Sequence, residues 1–350
     1  MNNSVYSLST FNWQKLLHEW EESSLVLPFL LDGLYKDRSI WEKHLSKKLV
    51  ENIEKNYNLN LPTISTVQEA QDGTIKFLVK FIDGFEVETV LIPFHKRFTV
   101  CLSTQVGCAM NCSFCYTGTQ GYKRNLSSGE IVSQYLLARK WLKDKSPTSL
   151  DPSIVFMGQG EPLHNVDEVK NAIEILNDPK MIGIGKRQMT LSTVGHLSGI
   201  HKIKDFPQIN FALSLHSPFQ EERSKLIPIN ESNRLIEVIQ ALDEIPLLPR
   251  QFITYEYLLI KDFNMSDKHV EGLTTLLKKR KAIINLIPFN PFPGSQWQRP
   301  GADEIESFKN KLVANKLRVM IRTTKGAEIL AACGQLKVNK LARDKDARSE

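Results

Sequence analysis

The sequence predicts an α/β fold: a parallel sheet covered by helices, either open or curled into a full or partial barrel. Three observations carry that expectation. From about residue 98 onward short apolar runs alternate with helical stretches, two β-rich runs parted by Asp83-Gly84 precede them, and residues 12–57 carry apolar side chains at helical spacing. Strand followed by helix, repeated, favours parallel pairing, because the chain must cross back over the sheet before it pairs again.

Taken in order, Trp13, Leu16, Leu17 and Trp20 share one face of a first helical stretch, and a second runs from Ile40 to Ile53. Thr74 to Pro93 reads as a hairpin, since Asp83-Gly84 tolerates the positive φ that a tight turn requires. Candidate strands then follow at Thr99–Ser103, Ile154–Met157, Met189–Ser192, Asn210–Ser214, Phe252–Leu259, Ile283–Ile287 and Arg318–Ile321. The helices between them are expected at Ser128–Leu142, Val166–Leu176, Asn233–Asp243, Asp267–Lys279 and Ala302–Asn315. In such folds the strand ends carry the chemistry. The chain therefore divides into a helical accessory domain at 1–73, a linking hairpin at 74–97, a core at 98–336 and a charged tail at 337–350. That tail is nearly free of large apolar residues and is expected to be mobile.

At 350 residues with 41% hydrophobic content the chain can bury a substantial core. Met1 to Ser7 lacks the basic start and long apolar stretch of a secretory signal, and Leu25 to Leu31 is far too short to cross a bilayer. A cytoplasmic location without membrane attachment is expected, and five cysteines in that compartment point to ligands or nucleophiles over a disulfide scaffold. The net charge of +6 is uneven: residues 1–90 carry −4 and the remainder +10. Basic clusters occur at Lys96-Arg97, Lys123-Arg124, Arg139-Lys140 with Lys143 and Lys145, and Lys278 to Lys281. Such an excess suits a polyanionic partner such as RNA, although lysine runs on helices are more often solvated faces.

The most specific feature is Cys108-Ala-Met-Asn-Cys112-Ser-Phe-Cys115, three cysteines spaced CxxxCxxC in the loop after the strand Thr99–Ser103. Three thiolates can take three corners of a [4Fe–4S] cube and leave the fourth iron open to a cofactor or substrate. A zinc site normally wants four ligands in paired CxxC spacings, and His95 and Cys101 upstream supply no such pairing. A chance cluster of core cysteines is the remaining plain alternative. Met157-Gly-Gln-Gly-Glu-Pro162 follows the second core strand, where its glycines let backbone approach a ligand and Glu161 can accept from an ammonium or hydroxyl. Leu191-Ser-Thr193, Ser214-Leu-His216 and Asn290 end or follow further strands. One such polar residue is usually a cap or turn; several at strand C-termini make a site credible.

Together, Gln105 to Cys115, Gly121-Tyr-Lys-Arg-Asn125, Met157 to Pro162, Leu191-Ser-Thr193, Ser214-Leu-His216, Asn285-Leu-Ile-Pro-Phe-Asn-Pro-Phe-Pro-Gly294 and Ala331-Ala-Cys-Gly-Gln-Leu336 resemble the RlmN/Cfr family of radical S-adenosylmethionine RNA adenosine methyltransferases. The likeness runs from about Gly84 to Leu336 and is looser in the N-terminal helices. It implies a partial (β/α) barrel radical S-adenosylmethionine core with a small N-terminal helical domain and a linking β-hairpin. It also implies roles. Cys108, Cys112 and Cys115 would ligate one [4Fe–4S] cluster, and Gly160, Glu161, Ser192, Ser214, Leu215, His216 and Asn290 would bind S-adenosylmethionine. Cys333 would carry a methyl group, Cys101 would be its later disulfide partner, and Glu88 would match the family's proposed base. Gln159 departs from the pattern, which usually has Met between the two glycines, and a longer polar side chain there would alter cofactor contacts.

Two points have support outside the resemblance. By the period of two, Phe98, Val100 and Leu102 share one strand face and Thr99, Cys101 and Ser103 the other, so that Cys101 faces the lumen if the apolar face packs on helices. Glu88 shares a face with Glu86, which leaves a solvated surface pair as an alternative to catalysis. The resemblance implies 23S ribosomal RNA and, for RlmN-type members, transfer RNA as partners, with an electron donor such as flavodoxin or ferredoxin. Glu161-Pro162 and Asn290-Pro-Phe-Pro-Gly294 resemble the RlmN type, which modifies carbon 2 of adenine, more than the Cfr type, which modifies carbon 8. The rival readings are another radical S-adenosylmethionine reaction, such as sulfur insertion, and a metal-stabilised RNA-binding module.

Overall fold

The computed structural model describes residues 3–95 and 97–338. Its strands are β1 (Thr63–Glu69), β2 (Ile75–Lys80), β3 (Glu86–Phe94), β4 (Arg97–Cys101), β5 (Gln105–Gly107), β6 (Tyr122–Asn125), β7 (Ser153–Phe156), β8 (Met189–Thr193), β9 (Asn210–Ser214), β10 (Ile253–Leu259), β11 (Ala282–Pro288) and β12 (Val319–Ile321). Ten of them form one sheet in the order β1-β2-β3-β4-β7-β8-β9-β10-β11-β12, and β5 pairs with β6 separately. Pairing is parallel from β4 onward through β12, and antiparallel from β1 to β4.

All seven expected core strands are present, each within a few residues of its expected ends. The sheet is open in its strand order yet curled. A single cavity is lined from Ile92 on β3, through Thr99, Thr190 and Thr254, to Met320 on β12. Helices α5 (Ser128–Lys145), α6 (Val166–Asn177), α9 (Leu235–Asp243), α10 (Asp267–Leu277) and α11 (Ala302–Ala314) supply most of the crossovers, together with the shorter α7 (Leu197–Ile200) and α8 (Gln220–Leu226). Helix α5 begins with a capping box: the Ser127 hydroxyl accepts from the Glu130 amide while the Glu130 carboxylate accepts from the Ser127 amide. The result is the partial barrel.

The N-terminal helical stretch resolves into four helices, α1 (Thr10–Glu19), α2 (Leu27–Tyr35), α3 (Ser39–His44) and α4 (Lys47–Asn56). Ser9 caps α1 and Ser46 caps α4 through side-chain oxygens, which explains the breaks that apolar periodicity alone did not mark. Trp13, Leu17, Leu30, Leu31, Trp41, Leu49 and Ile53 are buried and belong to the same apolar cluster as the barrel core. Within the accessory segment 1–73 the helices end at Asn56, and Thr63–Glu69 is a strand. It adds to β2 as the outer edge of the sheet, where pairing with the hairpin satisfies its backbone on one side. The hairpin turn falls at Asp83-Gly84 as expected, and its second strand, β3, pairs with β4, so it continues the core sheet. Of the expected charged tail, residues 339–350 lie outside the described residues. Among the described residues no helix is long and apolar enough to cross a membrane.

One close approach sets the α2–α3 packing. A Cβ at Gly33 would lie 1.9 Å from Trp41 Cδ1, and the Trp41 indole N–H donates to the Leu30 carbonyl at 2.8 Å. Replacing Gly33 by Ala should therefore push the indole out of place. We expect a loss of roughly 1–3 kcal/mol, outweighing the better helix propensity of Ala, seen as a lowered urea midpoint; an unchanged midpoint would contradict this packing.

Candidate active site

The cysteine loop leaves the barrel through the β5–β6 ribbon. Gly107 sits at φ +75° with its Cα so close to Gly121 that a Cβ would lie 1.8 Å from the Gly121 carbonyl oxygen, and the Cys108 amide donates to that same oxygen at 3.3 Å. Only glycine closes this neck. Beyond it, the Cys115 amide donates to the Cys112 carbonyl, and Ser113 is tied to α8 by its amide on Leu226 O at 3.0 Å and its hydroxyl on Lys225 O at 3.1 Å. Cys108, Cys112 and Cys115 line one cavity together with Gly160, Glu161, Ser192, Ser214 and His216. The strand ends and the thiol loop thus converge.

The donor set fits a cube better than a lone ion. Burial pushes the Cys108 thiol up to about 12 and raises Cys112 and Cys115 as well, so all three are neutral until a metal displaces their protons. Among the described residues no three His, Cys, Asp or Glu side chains are grouped to hold a single metal ion. A cubane needs no such common centre, since each thiolate binds its own iron.

Glu161 is buried. Burial raises its carboxyl to about 7, opposed by the Val194 amide at 3.0 Å, the Thr193 hydroxyl and the Leu163 amide at 3.1 Å. An ammonium brought beside it would restore its charge. His216 lies at φ +58°, its Nδ1 accepting from the Leu258 amide at 3.0 Å and its ring edge-on to Phe114 at 4.6 Å. That bond places the neutral ring's proton on Nε2. Burial, then nearby Arg223, lowers His216 to about 3. Gly160, at φ +103°, packs on Gln105, where a Cβ would come within 2.6 Å of Gln105 Cβ.

Two of the expected cofactor residues stand elsewhere. Leu215 is fully buried in the core, its amide on Glu256 O and its carbonyl held by Arg223. Asn290 lines a second cavity, where its Nδ2 donates to the Cys333 carbonyl at 3.3 Å and its Oδ1 accepts from Arg299 and Thr324. Gln159 also faces away from the thiol cavity. It accepts from the Glu88 amide at 3.0 Å and donates to Gln120 at 3.0 Å, so the expected effect of its length on cofactor contacts is replaced by a tie between the glycine turn and β3.

Cys333 lines both cavities. Its segment is fastened to the cysteine loop by the Tyr116 amide on Gly334 O at 2.6 Å and by the Thr117 hydroxyl on Leu336 O at 2.5 Å. Cys101 lines the second cavity with it, on the β4 face opposite the packed Val100, as the strand period predicts. All five cysteines are free thiols, so the Cys101–Cys333 disulfide that the resemblance implies is not formed in this structure. Burial, reinforced by Cys333, drives Cys101 up to about 12, and burial raises Cys333 against the pull of Arg322.

Glu88 is neither solvated nor in either cavity. It is buried on the face that Val90 shares with Cys101, and its Oε1 pairs with Lys76 Nζ at 3.0 Å, which also donates to the Ile329 carbonyl at 2.6 Å and the Leu330 carbonyl at 3.4 Å. Burial raises its carboxyl, opposed by Lys76 and by the Lys337 amide. The solvated alternative fails because Ile329 and Leu330 close over this face.

Sequence reasoning missed Glu256, Arg322 and Arg223. Glu256 is buried on β10 and lines both cavities, and Arg322 follows β12 into the second. A charged residue inside or just after an apolar strand was the available signal for both. Several basic residues of the sequence clusters are engaged internally: Arg124 with Asp83 and Glu130, Arg139 and Lys143 with Asp151, Arg280 with Asp243.

A curled parallel sheet with a three-cysteine loop over its strand ends defines a radical S-adenosylmethionine enzyme, and residues 102–272 match the Radical SAM superfamily model. The chain is 39% identical over 342 residues to the dual-specificity RNA methyltransferase RlmN of Lawsonia intracellularis, covering 92% of this chain and 96% of that protein. It is 41% identical over 302 residues to the protein of the same name from Paracoccus denitrificans, covering 84% and 77%. Its fold matches the crystal structure of a radical SAM methyltransferase from Sphaerobacter thermophilus with a TM-score of 0.88 and 33% identity, over 96% and 99% of the two chains. The chain belongs to the RlmN family. Its cofactors are a [4Fe–4S] cluster and S-adenosylmethionine.

The neutral burial of His216 has a measurable consequence. Because its folded-state value of about 3 lies below the ordinary 6.5, the unfolded chain binds the extra proton, so stability is complete above pH 6.5 and falls as pH drops toward 3. Glu161 works the other way, but equally in both proteins. Urea titrations should show wild type losing stability against His216→Asn by roughly 1.4 kcal/mol per pH unit across that window; parallel pH profiles would contradict the assignment.

Proposed function

We propose that this enzyme methylates carbon 2 of an adenosine in RNA through a methyl group carried on Cys333 and a covalent enzyme–RNA intermediate. Family membership supports the coarser statement, S-adenosylmethionine-dependent methylation of RNA. The observation that carries the finer one is the place of Cys333 in the wall between the two cavities. From there one sulfur can face the cofactor on one side and a base on the other.

Cys108, Cys112 and Cys115 would hold the cluster, and Glu161, Ser192, Ser214 and the His216 Nε2–H would orient S-adenosylmethionine beside it, with Gly160 giving the backbone room. When bound, these cofactors supply the hydrogen-abstracting radical that makes the Cys333 methyl group reactive toward an aromatic carbon with no nucleophilicity of its own. To take that methyl group Cys333 must first lose its proton, which Arg322 favours. Asn290 and Gln335 hold the loop that aims the sulfur, Asn290 through the Cys333 carbonyl and Gln335 through the Pro291 carbonyl.

After the carbon–carbon bond to the base forms, the adduct would give up one electron to the oxidised cluster and its ring proton to a base, the role we give Glu88. The Cys101 thiolate then attacks the Cys333 sulfur: the S–S bond forms as the sulfur–carbon bond breaks, the carbon takes up a proton and leaves as the methyl group of the base, and a two-electron reductant restores both thiols. Glu88 reaches the ring only if the Ile329–Leu330 cover shifts. The substrates we infer are 23S ribosomal RNA and transfer RNA, whose loops let a base leave its stack most easily. A flavodoxin or ferredoxin would serve as electron donor.

Anaerobically reconstituted Cys112→Ala should lose the cluster, measured as bound iron; a full complement would refute its place as a ligand. On denaturing gels after incubation with RNA, S-adenosylmethionine and reductant, Cys101→Ala should carry covalently attached RNA, whereas Cys333→Ala should carry none and form no methylated adenosine. Normal turnover by either variant would refute the cycle, and methylation at carbon 8 in the wild type, read by mass spectrometry, would refute the regiochemistry.

A further inference from the structure

Arg223 is a fully buried arginine on α8 that the scheme above leaves unused. Its Nε donates to the Leu215 carbonyl at 3.1 Å, and its Nη2 to the Val194 carbonyl at 2.5 Å and the Ser214 carbonyl at 2.9 Å; its Nη1 donates to Asn230 Oδ1. Every acceptor is neutral. None of its hydrogen bonds reaches a carboxylate, so among the described residues the charge stands buried without an ion-pair partner, an arrangement that ordinarily costs several kcal/mol.

Its surroundings show what could offset that cost. The same helix end is bound to the cysteine loop through Ser113 on Lys225 O and Leu226 O, and Cys112 packs in one apolar cluster with Leu226 and Ile227. Burial lowers the guanidinium to about 10 while Cys112 pulls it back up. A cube held by three thiolates is an anion, and one-electron reduction by a low-potential donor adds a further negative charge with no bond made or broken.

We propose that Arg223 is the fixed counter-charge of the cluster, a positioning residue that ties the ends of β8 and β9 together and favours the reduced state electrostatically. The proposal rests on Cys112 as an iron ligand. A cation fixed in a medium of low dielectric stabilises the more negative state most, so removing it makes the cluster harder to reduce.

The test is the midpoint potential of the reconstituted holoenzyme, titrated with dithionite and mediators and read by the electron paramagnetic resonance signal of the reduced cluster. Arg223→Gln should shift the midpoint to more negative values, and Arg223→Lys should hold it near wild type. Asn230→Asp keeps the arginine and its Nη1 acceptor but places a carboxylate against it, and should also shift the midpoint negative. It remains informative if Arg223→Gln does not fold. Thermal melts run alongside register the loss of packing, which a merely structural arginine would show without any change in potential. Wild-type midpoints in Arg223→Gln or Asn230→Asp overturn the proposal. Failure of the Cys112 reading appears separately, as full iron retention in Cys112→Ala.

Discussion

The structure turns on the docking of the segment around Cys333 against the cysteine loop. Two hydrogen bonds, from the Tyr116 amide to Gly334 O and from the Thr117 hydroxyl to Leu336 O, fasten residues more than two hundred positions apart. The Cys333 thiol so placed lines both lumen cavities, together with Met157, Glu256 and Ile287. The segment is supported from below by Ala331 and Leu336 on Val90 and Cys101, and from the side by Asn290 and Gln335. Without it the β4 thiol, the second cavity and the Lys76–Glu88 pair would all open to water.

Electrostatics follow from the same enclosure. Burial in the lumen penalises charge, driving the thiols and Glu161 upward and His216 downward. Charge returns only where a partner arrives. Lys76 is already in place for Glu88, and Cys333, Glu256 and Cys101 hold Arg322 in its charged form. Arg223, by contrast, is a buried guanidinium on neutral acceptors beside the strand ends, a charge that an anionic cluster would offset.

The sequence by itself determined much of this protein. Its alternating apolar runs named all seven parallel strands, Asp83-Gly84 marked the hairpin turn, and the CxxxCxxC spacing identified the thiol loop, because each signal is local and a period or a turn needs no distant partner. The two-residue period of β4 turned Cys101 toward the lumen for the same reason. Other features were decided only by tertiary structure. Thr63–Glu69 became a strand because a partner edge was available at β2. Asn290 went to the Cys333 loop and Leu215 to the core, since position after a strand does not say which cavity a side chain meets. Glu88 was buried by a segment some two hundred and forty residues later in the chain. Arg223, set among Glu221, Glu222 and Lys225, has no mark of burial in the sequence; it is buried because its turn of α8 lies against the ends of β8 and β9, and burial is a property of what packs over a residue, which no local pattern contains.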